Sequence, residues 1–120
     1  MKNTFIFALL LTLVTACDVS EGMRDKSGQS PEVIKAREIA AKNGCMGCHT
    51  VTTSVGGPAW RLVADRYKDQ PEAKQVIIDS INNGSTGRWI EVSRLKEMPG
   101  YQGKIPEEQL SLLADYILSL

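Results

Sequence analysis

Cys45-Met46-Gly47-Cys48-His49 decides how this chain is read. Two cysteines stand three positions apart, and a histidine follows the second. On a tight helical turn this spacing brings two thiols to two vinyl groups along one edge of a porphyrin. The next residue then turns its imidazole toward the iron, the C-x-x-C-H signature of c-type haem attachment. Gly47 keeps the turn free of bulk where it meets the ring. The stretch therefore predicts one haem c, covalently held through thioethers at Cys45 and Cys48, with His49 as an iron ligand. Three other readings compete. A thioredoxin-type redox pair needs a βαβ surround, and no strand pattern is present. Structural zinc needs four ligands, and the folded part offers Cys45, Cys48 and His49 alone. A Cys45–Cys48 disulfide leaves His49 unexplained.

The segments around the motif are helical. Ser30-Pro31 suits an N-cap followed by proline in the first turn. From Pro31 to Asn43, Val33, Ala36 and Ala40 share one face with Ile39 beside them, and Gly44 is the stop. A loop runs from Met46 to Pro58. Short helices are expected over Ala59–Tyr67 and Pro71–Asn82, the latter ended by Asn83-Gly84. Ser85 to Gly103 reads as irregular. In Pro106–Leu120, Leu110, Leu113, Ala114 and Ile117 recur at i, i+3, i+4, i+7. No segment sustains a period of two, so the predicted fold is all-α, with about four helices and long loops wrapped around one covalent haem. Loops this long count against a compact domain unless something apolar fills its middle, and the macrocycle does so.

The sixth position on the iron follows by elimination. His49 is the one histidine, which excludes two imidazoles. Of four methionines, Met1 belongs to the leader, Met23 to a polar stretch and Met46 to the attachment turn. Met98 remains, stiffened by Pro99. A thioether there raises the potential relative to a second imidazole and blocks access of small ligands. The alternative is that Met98 is an ordinary core or surface residue and the iron is five-coordinate or water-bound.

The 120 residues fit a single small domain, and 14 basic against 14 acidic groups give no reason to expect a nucleic-acid partner. Lys2 precedes an uncharged run, Phe5–Ala16, of about half the ~20 residues needed to span a bilayer. Residues 1–16 thus read as a signal peptide. Val14-Thr15-Ala16-Cys17 resembles a bacterial lipoprotein signal, with lipid on Cys17; an ordinary signal-peptidase site would cut at the same place. Asp18, in that resemblance, favours retention at the inner membrane. Residues 17–30 are polar and read as a lipid-anchored flexible tether, leaving 31–120 as the haem domain. With lipid on Cys17 and haem on Cys45 and Cys48, no free thiol is left in an oxidising compartment.

From Pro31 to Leu120 the chain resembles the small bacterial class I cytochromes c, the monohaem type with His/Met ligation. The resemblance rests on the haem motif after the first helix, Gly57-Pro58-Ala59-Trp60, Asn83-Gly84-Ser85 with Gly87 and Trp89, the Met98-Pro99 pair and the closing helix. It implies that the Pro58 carbonyl accepts from Nδ1–H of His49, that the Trp89 indole N–H bonds a haem propionate and that Tyr116 packs between the first and last helices. Arg61 and Arg88 are further propionate candidates. The implied function is electron transfer, not catalysis: single electrons would shuttle between respiratory redox partners in the periplasm, entering and leaving by the haem edge around Met46, Gly47 and Gly56. The partners would be a donor cytochrome or reductase complex and an acceptor oxidase or reductase, with the domain monomeric. An open-site haem enzyme or gas sensor, or a fixed haem subunit of a larger complex, are the alternatives. Two departures stand out. The stretch from Trp89 to Met98 is longer than in close relatives. Tyr101 also occupies the place, three residues after the ligand, where relatives often carry asparagine.

Overall fold

The computed structural model describes residues 29–120. The signal peptide expected over residues 1–16, the lipidation expected at Cys17 and the tether as far as residue 28 lie outside the described residues.

Helix α1 spans Pro31–Lys42. Its start is built as the sequence suggests: Ser30 Oγ accepts from the Val33 N–H at 3.4 Å, and Pro31 takes the first turn, where a missing N–H costs nothing. The helix ends one residue earlier than expected because Asn43 caps it. Both the Asn43 backbone N–H and its side-chain amide donate to the Ile39 carbonyl, at 3.1 and 2.8 Å. A 3-10 turn, Cys45–Gly47, follows at once.

Helix α2 spans Trp60–Tyr67, α3 Ala73–Asn83 and α4 Glu107–Leu118. Helix α3 begins two residues after Pro71, because the Ala73 N–H donates to Gln70 and closes a separate turn first. All four predicted apolar positions of α4, Leu110, Leu113, Ala114 and Ile117, are buried. That face is the hub of the fold: α4 packs on α1, α2 and α3. Ala36, Ile39 and Ala40 of α1, Ile77 and Ile81 of α3 and Trp60 of α2 complete the core around it. The small side chains of Ala36, Ala40 and Ala114 let α1 and α4 approach closely. Tyr116 of α4 is buried edge-on against Trp60, with ring centroids 5.9 Å apart.

The segment expected to be irregular contains the one sheet among the described residues. Strands β1 (Ser85–Thr86) and β2 (Glu97–Met98) pair antiparallel, with Ser85 opposite Met98 and Thr86 opposite Glu97. Two-residue strands are too short for any alternation to appear in sequence. Between them runs the long loop, its neck closed by Gly87 N–H donating to the Lys96 carbonyl at 2.9 Å. Its far side is fastened as well. Arg94 and Leu95 donate to the carbonyls of Val55 and Gly56, at 3.2 and 2.9 Å. Beyond β2, Tyr101 and Gln102 donate to Ile81 and Asn82 at the end of α3. The extra residues are therefore a tied strap between two other segments.

Candidate haem site

A cleft of about 930 Å³, counting its open mouth, runs beside the core. Its walls are mostly apolar, as a porphyrin requires. Ile77, Ile81, Leu113 and Ile117 form its floor from α3 and α4; Trp60 and Val63 come from α2. The predicted residues converge on it. Cys45, Cys48, His49, Pro58, Trp89 and Met98 all line the cleft. Arg88 does so too, whereas Arg61 and Tyr101 do not.

Cys45 and Cys48 form no disulfide with each other in the structure. Burial pushes the Cys45 thiol up from its ordinary pKa, against a smaller lowering by a backbone hydrogen bond. Among the described residues no group of three or more His, Cys, Asp or Glu is disposed to hold a metal ion, which leaves the zinc reading without a ligand set.

His49 is buried, with 8% of its surface exposed. Its Nδ1 lies 2.8 Å from the Pro58 carbonyl oxygen. A carbonyl only accepts, so Nδ1 carries the proton and Nε2 keeps its lone pair. Burial lowers the His49 pKa, against the opposing pull of the Pro58 hydrogen bond, so the ring is neutral at pH 7. Trp60 stacks on it at 5.9 Å. Gly57 closes the other approach: a β-carbon there would lie 2.5 Å from His49 Cε1 and 3.0 Å from both ring nitrogens. Sequence shows the Gly57-Pro58 pair but not that the glycine is needed to make room for an imidazole.

Met98 is half-buried at the end of β2. Its place is set by the β1–β2 ladder and by Gly84, whose φ of 78° and close approach to the Met98 carbonyl admit no side chain. Trp89 is half-buried and held by two residues of α2. The Arg66 guanidinium lies 3.7 Å above its ring centroid, and Tyr67 meets it edge-on at 6.3 Å. Arg66 also donates to the Arg88 carbonyl at 2.9 Å. Nothing in the sequence pattern singles out Arg66, because the pairing spans 23 positions and depends on how the loop folds back.

Polar groups in the cleft are few. Arg88 Nη1 lies 3.4 Å from Ser80 Oγ. Ser93 Oγ is the one buried side-chain nitrogen or oxygen among the described residues with no hydrogen-bond partner. Paired thiols, a neutral imidazole with a free lone pair, a thioether and an unpaired hydroxyl on an apolar cleft together fit a haem.

Known proteins give the same answer. The family model described as cytochrome c matches residues 33–120. Cytochrome c-552 of Nitrosomonas europaea is 32% identical over 83 residues, covering 69% of this chain and 76% of that protein. Cytochrome c-551 of Pseudomonas aeruginosa is 28% identical over 113 residues, covering 94% and 95%. The crystal structure of wild-type Nitrosomonas europaea cytochrome c552 superposes with a TM-score of 0.62 at 34% identity, covering 70% of this chain and 98% of that one. The class 1 cytochrome MtoD of Sideroxydans lithotrophicus gives 0.60 at 26% identity, covering 72% and 94%. The chain belongs to the cytochrome c family, and its cofactor is covalently bound haem c.

Proposed function

We propose that this cytochrome c carries single electrons and that His49 and Met98 would be the side-chain ligands of its iron. The observation that supports the reading best is one apolar cleft lined by both side chains and by the two attachment cysteines. Bound haem c supplies an iron that takes up and returns one electron. The chain's residues set the terms. Cys45 and Cys48 hold the group in place; the Pro58 carbonyl keeps His49 in the tautomer that presents Nε2 and makes it a stronger donor. The Met98 thioether favours the reduced metal relative to a second imidazole and fills the position a substrate would need. Both ligands sit on backbone tied by hydrogen bonds, so little has to move when the charge changes. In the same reading Trp89 donates its indole N–H to a propionate.

Visible spectra of protein matured with haem-attachment machinery test this. Sharp reduced bands and a weak sulfur-to-iron charge-transfer band in the oxidised form are expected. Fast, complete carbon monoxide binding by the reduced native protein at neutral pH would instead establish an open-site enzyme or sensor.

The partners in this reading are redox proteins, a donor cytochrome or reductase complex and an acceptor oxidase or reductase, met in short encounters at the edge near Met46, Gly47 and Gly56. Met46 is 43% exposed there. The domain acts as a monomer. The leader sequence supports a periplasmic location with lipid on Cys17 at the inner membrane, a soluble periplasmic form being the alternative. A tether then keeps the domain at high local concentration beside membrane-bound partners. The intact mass of protein extracted from membranes distinguishes the lipidated from the unmodified N-terminus.

A further inference from the structure

The strap between β1 and β2 holds a buried hydroxyl that no other group explains. Ser93 lines the haem cleft, and its Oγ is buried without a hydrogen-bond partner. Buried hydroxyls are nearly always paired, because burial strips them of water and returns nothing otherwise. The backbone that carries it is fixed. Ser93 N–H donates to the Trp89 carbonyl at 2.9 Å, and the next two N–H groups donate to Val55 and Gly56 across the cleft rim. Those two carbonyls are therefore already engaged.

Bound haem would occupy the remaining space, and its chemistry limits what the hydroxyl can meet. The macrocycle is hydrocarbon apart from nitrogens committed to iron, so its free hydrogen-bonding groups are the two propionate carboxylates. Trp89, four residues before Ser93 and on the same strap, also lines the cleft and is held by Arg66. Arg88 and Ser80 add polar groups to the wall.

We infer that Ser93 Oγ donates a hydrogen bond to a haem propionate. The lengthened strap thus supplies a cofactor-binding residue as well as covering the cleft. The inference rests on the proposed placement of the propionate edge beside Trp89. A hydroxyl donor draws off part of the carboxylate's charge and leaves less of it to favour the oxidised iron. Ser93 is a positioning residue for the cofactor, with an effect on its potential.

Proton NMR of the reduced, diamagnetic holoprotein tests this directly. The Ser93 hydroxyl proton is expected to exchange slowly with solvent and to show Overhauser contacts to a propionate methylene. Redox titration at pH 7 gives a second readout: Ser93→Ala shifts the midpoint potential down, and Ser93→Thr, which keeps the hydroxyl, stays near the parent value. Propionate contacts from the Trp89 indole proton but none from Ser93 would overturn the serine's role alone. Contacts from neither would overturn it together with the edge placement. Equal potentials in the parent and Ser93→Ala proteins would also refute the inference.

Discussion

Gly57 lies so close beneath His49 that a β-carbon there would stand 2.5 Å from the imidazole Cε1. The ring is already fixed by Pro58 on its Nδ1 side and by Trp60 stacked at 5.9 Å, so it has nowhere to retreat. Gly57→Ala is therefore expected to destabilise the holoprotein by about 1–3 kcal/mol through overpacking. A chemical denaturation series on the holoprotein measures this. A change below about 0.5 kcal/mol would show that the ring yields more easily than its contacts imply.

Gly84 plays the same part for Met98, the second ligand proposed. Its φ of 78° and ψ of −179° lie in a region populated essentially by glycine alone. A β-carbon would also meet the Met98 carbonyl oxygen at 2.5 Å. Gly84→Ala should cost at least about 2 kcal/mol and loosen the Ser85–Met98 pairing. The sulfur-to-iron charge-transfer band should weaken at neutral pH, whereas Gly57→Ala acts first on the histidine side.

Met98→Ala removes the thioether from the cleft. The expected holoprotein keeps its covalent haem, loses the charge-transfer band, binds carbon monoxide when reduced and has a lower potential. Retention of the band in this variant would assign the sulfur to another residue.

Arg66 acts at a distance from the haem by bracing Trp89. Its guanidinium lies 3.7 Å over the indole and also donates to the Arg88 carbonyl. Arg66→Ala is expected to lower stability by about 1 kcal/mol, or roughly 4–8 °C in Tm for a domain of this size. Arg66→Lys should restore only part, since an ammonium lacks the planar face that stacks on the ring.

Cys45→Ala leaves one thioether. One vinyl group then stays conjugated with the ring, so the reduced absorption bands of the variant should move to longer wavelength. Denaturation in acid should still leave the haem on the chain through Cys48. Release of the haem under those conditions would show that Cys48 forms no bond.

Most of the fold was legible along the chain because its signals are local. A serine cap, a proline in the first turn and an i, i+3, i+4, i+7 stripe in the last helix each need only a few neighbouring residues to be read. The predicted helices agree with α1 to α4 to within two residues at the ends, the shifts arising where Asn43 and the Gln70–Ala73 turn divert hydrogen bonds. The haem motif is local too, since the porphyrin edge itself dictates the spacing of the two thiols and the imidazole. Elimination among one histidine and four methionines then pointed to Met98 without any knowledge of the fold.

Other features depended on segments far apart in sequence. The β1–β2 ladder, the strap's bonds to Val55 and Gly56, the Arg66–Trp89 stack and the fit of Gly57 under His49 are contacts between segments. A lengthened loop offers no periodicity, so its course is decided by which distant carbonyls its N–H groups find. Tyr101 illustrates the limit: its place three residues after Met98 is plain in the chain, but the backbone bond to Ile81 that sets its course is not. By itself, then, the sequence determined that two thiols and a histidine take a haem and that helices surround it, because both follow from spacing over a few residues. The tertiary structure alone decided which groups brace the ligands and where the unpaired hydroxyl of Ser93 lies, because those depend on distances closed only when the whole chain has packed.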